Sequence, residues 1–402
     1  MTPLLPVDDA IARIIAGVVP REGERVALRE ANGRVLAEPL SARLTQPPFP
    51  ASAMDGYAVR ADDVALTGST LRLVGIAAAG HAYAGKVGAH ETVRIFTGAP
   101  MPEGADTVLI QESAEVIDAA TIRAEEPVAA GRNVRAAGLD FAAGAMLLDA
   151  GRHIGMREAA LAAAMGHAVI PVRRRPRVAI MATGDELVEP GVARRPDQIF
   201  ASNPAGIAAY VTSLGGEPHD LGIVRDDLVA LRSGVEAAQA LPADILVTLG
   251  GASVGEHDLI RQALESAGMA LDFWRIAMRP GKPLVFGRLA GTRVLGLPGN
   301  PVSSLVCSLL FLAPLIRALL GMPPEESIEP AVLGSDLPAN DARQDYLRAT
   351  LRRQNHTAIA TALPIQDSSM LSVLATADCL IIRPPHAPAA VTGDSCKILM
   401  LP

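Results

Sequence analysis

Residues 243–258 read ADILVTLGGASVGEHD, the pattern of a buried strand that runs into a glycine-rich turn. The apolar run 245–249 gives the strand, and a helical pattern begins at Leu259. A strand, a glycine-rich turn and a helix start in this order point backbone N–H groups toward an anion. The stretch predicts an anion-binding loop or, with equal weight, an ordinary glycine-rich loop of an α/β domain.

The same alternation continues on the N-terminal side of this stretch. Strand-like runs at 177–182 and 219–224 alternate with helical patterns at 203–214 and 228–240. Such alternation predicts a doubly wound parallel sheet, in which ligands lie at the carboxyl ends of the strands. We therefore expect the acidic residues after these strands to face one site. Mg²⁺ is the metal ion that fits such a site best, because it is bound by carboxylates together with phosphate oxygens. Helix capping is the alternative role for the same residues, and for those at 225–227 it is the stronger one.

The composition changes along the chain, which predicts an α/β multidomain protein. The rigid approach QPPFP at 46–50 precedes a long run of short strand patterns separated by glycines. A β-like segment with several prolines follows the α/β pattern at the C-terminal end. These changes predict a discontinuous N-terminal domain (1–44 and 137–174), an inserted β-rich domain (45–136), the α/β domain (175–324) and a C-terminal β domain (325–402).

Composition excludes several classes of function. The net charge of −7 (36 Lys+Arg against 43 Asp+Glu) argues against nucleic-acid binding, and 3% aromatic residues are too few for base-stacking platforms. The cysteines, at 307, 379 and 396, form no CxxC pair, which fits a reducing cytoplasm. The N-terminal residues lack a signal-peptide core. The apolar stretch 302–320 ends an α/β pattern, so we expect a buried helix and no membrane partner.

Shorter motifs supply further candidate groups. RPGKP at 279–283 offers Arg279 and Lys282 to an anion, and PGNP at 298–301 is a tight turn ahead of a helix. SAMDGYAV at 52–59, TGAP at 97–100 and GLD at 138–140 are ordinary turns when each is taken alone. The chain contains no HExxH motif.

Taken together, these motifs resemble one family. PPFPASAMDGYAV, RIFTGAPMPEGAD, ATGDEL, GIVRDD, LGGASVGEHD, RPGKP and GLPGNPVSS occur in this order over essentially the whole chain. The chain resembles the molybdopterin molybdenumtransferase (MoeA) family, which includes the catalytic E domain of gephyrin. The resemblance implies a MogA-like α/β domain, a C-terminal β-barrel-like domain and a homodimer. Its site would lie between the α/β domain of one subunit and the inserted domain of the other.

The resemblance also implies a reaction and its residues. The family, a group of transferases, inserts molybdenum from molybdate into adenylylated molybdopterin, depends on Mg²⁺ and releases AMP. A molybdopterin adenylyltransferase and molybdoenzyme maturation proteins are the further partners it implies. The matching positions imply catalytic roles for Asp55, Thr97, Asp140, Glu186 and Lys282. They imply metal ligation by Asp185, Asp226, Asp227 and Asp258, and substrate binding by Gly250, Gly251, Ser253, Gly255, Arg279, Pro298, Asn300, Pro301, Ser303 and Arg348.

The sequence departs from the family pattern at a few positions. Leu139 stands where the family commonly has a glutamate, and His257 and Leu259 flank Asp258 where an aromatic residue is frequent. Two other functions remain open: a non-catalytic scaffold on the same fold, or the preceding adenylylation of molybdopterin. The retained carboxylates and Lys282 argue against a scaffold, and SAMDGYAV with the large inserted domain argues against adenylylation.

Overall fold

A six-stranded sheet forms the centre of the molecule. The computed structural model describes residues 4–250, 259–324 and 328–402. The strands lie in the order Glu217–Val224, Arg177–Thr183, Ile245–Leu249, Thr292–Leu297, Pro283–Leu289 and Ala270–Arg275. The first four are parallel, as predicted. Pro283–Leu289 runs antiparallel to both of its neighbours, which the sequence did not indicate.

The order of these strands creates a crevice. From Arg177–Thr183 the chain moves to the strand on one side and then crosses to Ile245–Leu249 on the other. The loops that follow these two neighbouring strands therefore diverge, and in doubly wound folds ligands bind where this happens.

Alternating side chains of Arg177–Thr183 explain the two helical layers. Val178 and Ile180 belong to one apolar core, and Ala179 and Met181 belong to the other. A strand buried on both faces reads as a continuous apolar run, which is the pattern of this segment. The first core includes helices Asn203–Ser213 and Pro301–Leu319; the second includes helices Leu228–Ala240 and Leu259–Ser266.

The helical run Pro301–Leu319 is interrupted by a π-helical turn. It consists of α-helix Pro301–Cys307, the π turn Ser308–Leu312 and α-helix Ala313–Leu319. Pro314 cannot donate to the carbonyl four residues earlier, and a wider turn before it accommodates the pyrrolidine ring. In the described part of the chain this helix is long and apolar enough to cross a membrane, but 72% of its apolar window is buried. The expected buried core helix is confirmed.

A second six-stranded sheet lies within residues 56–124. Its order is Thr107–Ile110, Gly56–Val59, Glu91–Ile95, Thr70–Ala77, Thr121–Ala124 and Ala114–Asp118. The chain reaches this sheet through Ala51–Ser52 and returns through Val134–Arg135, and these two segments pair with each other. Entry and exit therefore lie side by side, and the predicted boundaries at 45 and 136 bracket them.

The flanking N-terminal segments form a small third core. Strand Gly23–Ala27 pairs with Val169–Arg173, and Leu40–Ser41 pairs with Met146–Leu148. Helix Met156–Ala164 completes this core with Leu36, Ile154, Met165 and Ile170. The first helix, Val7–Ile15, instead packs its apolar face against the helical run Pro301–Leu319 in the core of the α/β domain.

The C-terminal segment closes into a five-stranded barrel. The strands are Ile328–Leu333, Gln344–Gln354, Thr357–Ala362, Cys379–Arg383 and Ser395–Met400, with the short helix Leu371–Ala375 between two of them. Gln344–Gln354 pairs with both Thr357–Ala362 and Cys379–Arg383, which closes the ring. Strand Met278–Arg279 of the α/β domain adds to Gln344 and Asp345 in parallel, so the barrel is joined to the central domain by backbone hydrogen bonds.

Asp244 fixes the linker between the N-terminal core and the central sheet. Its side chain is only 4% exposed. It accepts hydrogen bonds from both terminal nitrogens of Arg174 at 3.1 Å and from the backbone N–H of Arg177 at 2.8 Å, and it pairs with Arg21. One buried carboxylate thus holds three separate segments of the chain.

Candidate active site

A cleft of about 610 Å³ lies at the crevice of the central sheet. Thr183 and Gly184 line it at the end of one strand, and Gly250 lines it at the end of the next. Gly250 has φ +98°, and a Cβ atom there would lie 2.4 Å from the carbonyl oxygen of Thr183. Only glycine lets these strand ends approach so closely. The predicted position of the site, at the carboxyl ends of the strands, agrees with this cleft.

Two carboxylates, Glu186 and Asp226, line the cleft, and Asp185 lies next to Asp226. The backbone N–H of Asp226 donates to Asp185 Oδ1 at 3.4 Å, and both Glu186 and Asp226 line the cleft. Partial burial raises the pKa of Asp226, and the negative charges of Asp185, Glu186 and Asp227 raise it further. Like charges held this close favour a proton or a cation between them.

The predicted metal set is only partly assembled. Across residues 4–250, 259–324 and 328–402, no three His, Cys, Asp or Glu side chains are grouped so that they could hold a metal ion. Asp227 caps helix Leu228–Ala240, because its Oδ1 accepts from the N–H groups of Val229 at 3.0 Å and Ala230 at 2.9 Å. Asp258 lies outside the described residues, as do Gly251, Ser253 and Gly255 of the predicted phosphate loop.

The turn at 298–301 lines another part of the cleft together with a loop of the barrel. Pro298, Asn300 and Pro301 all line the cleft, as does Ser369. We call residues 365–369 the barrel loop. Asn300 Nδ2 donates to Ser368 Oγ at 3.0 Å, and the backbone N–H of Val302 donates to the Ser368 carbonyl at 3.0 Å. This N–H at the helix start is therefore already satisfied by protein.

Two predicted substrate-binding residues are buried. Ser303 is 4% exposed and is not among the residues that line the cleft. Arg348 is 1% exposed, and its guanidinium donates to the carbonyls of Ile365 at 3.4 Å and Asp367 at 3.2 Å. Burial lowers the pKa of Arg348, and the charge of Asp367 opposes that shift. In this arrangement Arg348 holds the barrel loop against the cleft.

The two cations of RPGKP differ in what they contact. Arg279 pairs with Asp345 of the barrel and lies 3.8 Å from Asp341. Lys282 is exposed, and the described residues offer its ammonium group no hydrogen bond or ion pair. The next residue, Pro283, lines the cleft. Lys282 is therefore an exposed cation next in sequence to a residue of the cleft, and a ligand could recruit it.

A separate cluster surrounds Asp55 on the inserted sheet. Asp55 Oδ1 accepts hydrogen bonds from the backbone N–H and the hydroxyl of Thr97, both at 2.8 Å. These two donors hold the pKa of Asp55 below its usual value, and the charge of Arg94 adds to the effect. Arg94 itself stacks over Tyr57 at 4.8 Å and Phe96 at 5.2 Å. Asp55 is thus a partly exposed, ionised carboxylate in a fixed position.

Asp140 lies on a turn beside the proline-rich approach. Its backbone N–H donates to Gln46 at 3.0 Å, next to the cis bond that links Gln46 to Pro47. Asp55, Thr97 and Asp140 do not line the cleft. Within one chain the predicted residues therefore form two separate groups, one on the inserted side and one at the central sheet.

Sequence reasoning missed several residues that line the cleft. Phe200 and Ser202 lie at the end of the long excursion after Gly184, Asn203 follows it, and Thr183 precedes it. Their position in the chain could have indicated them, because the segment that follows a strand in a doubly wound fold runs along the ligand crevice. Ser369 could not be found in this way because it comes from another domain.

Comparison with known proteins agrees with this architecture. Residues 5–166 match the family model described as MoeA N-terminal region (domain I and II), residues 179–318 match the Probable molybdopterin binding domain, and residues 330–401 match the MoeA C-terminal region (domain IV). The molybdopterin molybdenumtransferase of Haemophilus influenzae is 34% identical over 403 residues, covering 98% of both chains. That of a Nostoc species is 36% identical and covers 100% of this chain and 95% of its own length.

A solved structure shares the whole fold. The molybdopterin biosynthesis MoeA protein of Pyrococcus horikosii superposes with a TM-score of 0.84 at 29% identity and covers 99% of each chain. The central domain thus belongs to the molybdopterin-binding class of α/β domains. The chain as a whole belongs to the MoeA, or molybdopterin molybdenumtransferase, family.

Proposed function

We propose that this chain transfers molybdenum from molybdate into the dithiolene of adenylylated molybdopterin and releases AMP. The chain is a transferase of molybdenum cofactor biosynthesis, as its relatives are named. The observation that carries the finer proposal is the cleft at the switch point. Strand ends, the acidic residues and the barrel loop meet there around one space large enough for a small organic ligand.

Both proposed substrates are anions, and the chain must hold their charge. Lys282 is the exposed cation next in sequence to a residue of the cleft, and an ammonium group binds phosphate or molybdate oxygens as a compact charge. Gly251, Ser253 and Gly255 remain predicted phosphate contacts. Arg279 and Arg348 support the site indirectly in this proposal, since Arg279 ties the barrel to the central domain and Arg348 holds the barrel loop.

The carboxylates near the cleft fit Mg²⁺. Mg²⁺ takes one or two protein carboxylates together with substrate phosphate oxygens and water, so a complete cage of protein ligands is not required. Asp185 and Asp226 would hold it, with Glu186 nearby. Partial burial and the negative charges of Asp185, Glu186 and Asp227 raise the pKa of Asp226, which supports a cation at this place. When bound, Mg²⁺ neutralises pyrophosphate charge and polarises the bond that breaks.

Asp55 acts from a second subunit in this proposal. Asp55, Thr97 and Asp140 do not line the cleft of their own chain, and exposed apolar side chains, including Met54, Phe96 and Leu139, lie on the same segments. A homodimer would cover these side chains and bring Asp55 to the partner's cleft. The bonds from Thr97 keep Asp55 ionised, so it can accept a proton from a dithiolene thiol or from water.

The reaction is tested with purified substrates. Adenylylated molybdopterin, Mg²⁺ and molybdate should give AMP and active cofactor in the presence of the protein. AMP no higher than in a protein-free blank would refute the proposal. ATP consumption with molybdopterin in the absence of molybdate would instead support an adenylyltransferase, and cofactor activity retained by Asp55→Asn in cells would support a scaffold.

The shared site is tested by mixing two inactive variants. Asp55→Asn and Lys282→Ala each damage a different half of the site. If the halves come from different subunits, every mixed dimer contains one intact site, and random exchange restores about a quarter of wild-type activity. A mixture that stays inactive after verified subunit exchange would show that both halves act within one chain.

The cytoplasm is the compartment we propose, which suits the free cysteines Cys307, Cys379 and Cys396.

A further inference from the structure

The charge of the cleft lining limits which part of a ligand it can hold. Among the described residues that line it, Glu186 and Asp226 are acidic and none is Lys, Arg or His. A bare phosphate placed against these walls would meet like charge without a compensating side chain. A phosphate beside Glu186 and Asp226 therefore needs a bound cation, such as the proposed Mg²⁺, and the remaining walls suit an uncharged part of a ligand.

One wall is a structured excursion, residues 187–202, which we call the flap. Its two short strands, Leu187–Val188 and Ile199–Phe200, pair in parallel. Its tip is fastened by Arg194, which donates to the Gln198 carbonyl at 3.0 Å. This backbone holds Phe200 at the cleft with 45% of its surface exposed. An aromatic side chain kept exposed by an ordered loop, inside a concave site, is typical of a ligand contact.

The other walls suit a flat ring. Pro283, Pro298 and Pro301 line the cleft, and their rings are rigid and apolar. Thr183 also lines the cleft and is 3% exposed, and no residue that the structure describes offers its hydroxyl a hydrogen bond. A buried hydroxyl without a partner loses hydrogen-bond free energy unless a ligand or water supplies one.

We propose that the flap side of the cleft is a subsite for a planar nitrogen heteroaromatic ring. The ring stacks on Phe200, and an atom at its edge exchanges a hydrogen bond with the Thr183 hydroxyl. Ring nitrogens and exocyclic amines offer both donors and acceptors, which a hydroxyl can match in either sense. The inference rests on the proposed function, whose substrate carries two such rings, a pterin and an adenine.

Equilibrium binding of uncharged ring probes tests the subsite. Adenosine and 6-hydroxymethylpterin are titrated separately into the full-length wild type, Phe200→Ala, Phe200→Tyr and Thr183→Val by calorimetry. We expect Phe200→Ala to weaken binding of at least one probe about tenfold, which is the loss that stacking of one ring supports. Phe200→Tyr keeps an aromatic face and should stay within about twofold. Thr183→Val keeps the shape but removes the hydroxyl, so it should weaken the same probe.

Val192→Ala is the matched control, because Val192 is an exposed apolar residue of the same flap that does not line the cleft. It should bind both probes as wild type does. The probe that depends on Phe200 identifies the ring, adenine or pterin. Equal affinity of Phe200→Ala and wild type for both probes, or no binding of either probe to wild type, would overturn the inference. AMP release by wild type is measured in parallel: Phe200-dependent binding without AMP release would refute the proposed reaction and leave the ring subsite standing.

Discussion

Asp244→Ala should destabilise the protein more than any exposed ion-pair variant. The buried carboxylate accepts two hydrogen bonds from Arg174 and one from the backbone of Arg177, and it pairs with Arg21. The hydrogen bonds that Arg174 donates to Asp244 are the largest reason that the pKa of Arg174 is raised, so the charged pair is favoured in the folded chain. Removing the carboxylate leaves both guanidinium groups without this partner.

The size of the loss follows from burial. Breaking a buried ion pair costs about 3–5 kcal/mol, because the remaining charge is left without compensation. Arg21 and Arg174 are partly exposed, so water can hydrate them, and Arg174 keeps its ion pair with Glu22. We therefore expect Asp244→Ala to lower the free energy of unfolding by about 2–3 kcal/mol. At a urea m-value of ~2–3 kcal/mol/M, this shifts the unfolding midpoint by about 1 M.

The single tryptophan allows a clean measurement. Trp274 lies on the edge strand Ala270–Arg275 of the central sheet, so its fluorescence in urea reports unfolding of that domain. Asp272→Ala is the control, since Asp272 pairs with Arg13 at the surface and should cost less than ~0.5 kcal/mol. If Asp244→Ala and Asp272→Ala shift the midpoint equally, Asp244 does not hold the linker in the way described.

Three further changes test the site. Thr97→Val removes the hydroxyl bond to Asp55, so the pKa of Asp55 should rise and the acid limb of the pH–activity profile should move to higher pH; an unchanged limb would contradict this. Gly250→Ala should cost more than ~2 kcal/mol in urea unfolding, because a clash with a backbone carbonyl adds to left-handed strain. Gly191→Ala adds only the left-handed strain, because a Cβ atom there meets nothing within 4 Å, and it should lower the free energy of unfolding by about 1 kcal/mol. Equal losses in the two variants would show that the clash at Gly250 does not add to the strain. Asn300→Ala removes the bond to the barrel loop and should raise KM with a loss of about 1 kcal/mol in stability, whereas wild-type KM would show that the loop does not shape the cleft.

Local chemistry made part of this structure predictable. Helix Leu228–Ala240 has the predicted bounds because Asp227 caps its start and apolar residues recur on one face. Strand Ile245–Leu249 also has its predicted bounds, since its continuous apolar run is bounded by Asp244 and Gly250. In both cases the residues that indicate the element, including the glycine that ends the strand, lie close together in the chain.

What the sequence did not indicate depends on contacts between distant residues. Arg348 and Ser303 belong to motifs that suggest binding, but burial places Arg348 behind the barrel loop and Ser303 in the helix core. Arg279 looked available to an anion, but Asp345, sixty-six positions later, pairs with it. The first helix has a clear apolar face, and that face alone does not specify which of several cores it joins. Such partners are set by the tertiary fold.

The acidic cleft also gives the proposed reaction a way to release its products. Before cleavage, the two phosphates of the substrate are joined, and each carries a single negative charge. Cleavage produces two monoesters, each with about −1.5 to −2 charge at neutral pH. The negative charge beside Glu186 and Asp226 therefore increases by about one to two units when the bond breaks. Repulsion that the intact substrate would meet only weakly would then act on both products. In the proposed reaction, an acidic wall would therefore favour the bound substrate over its products.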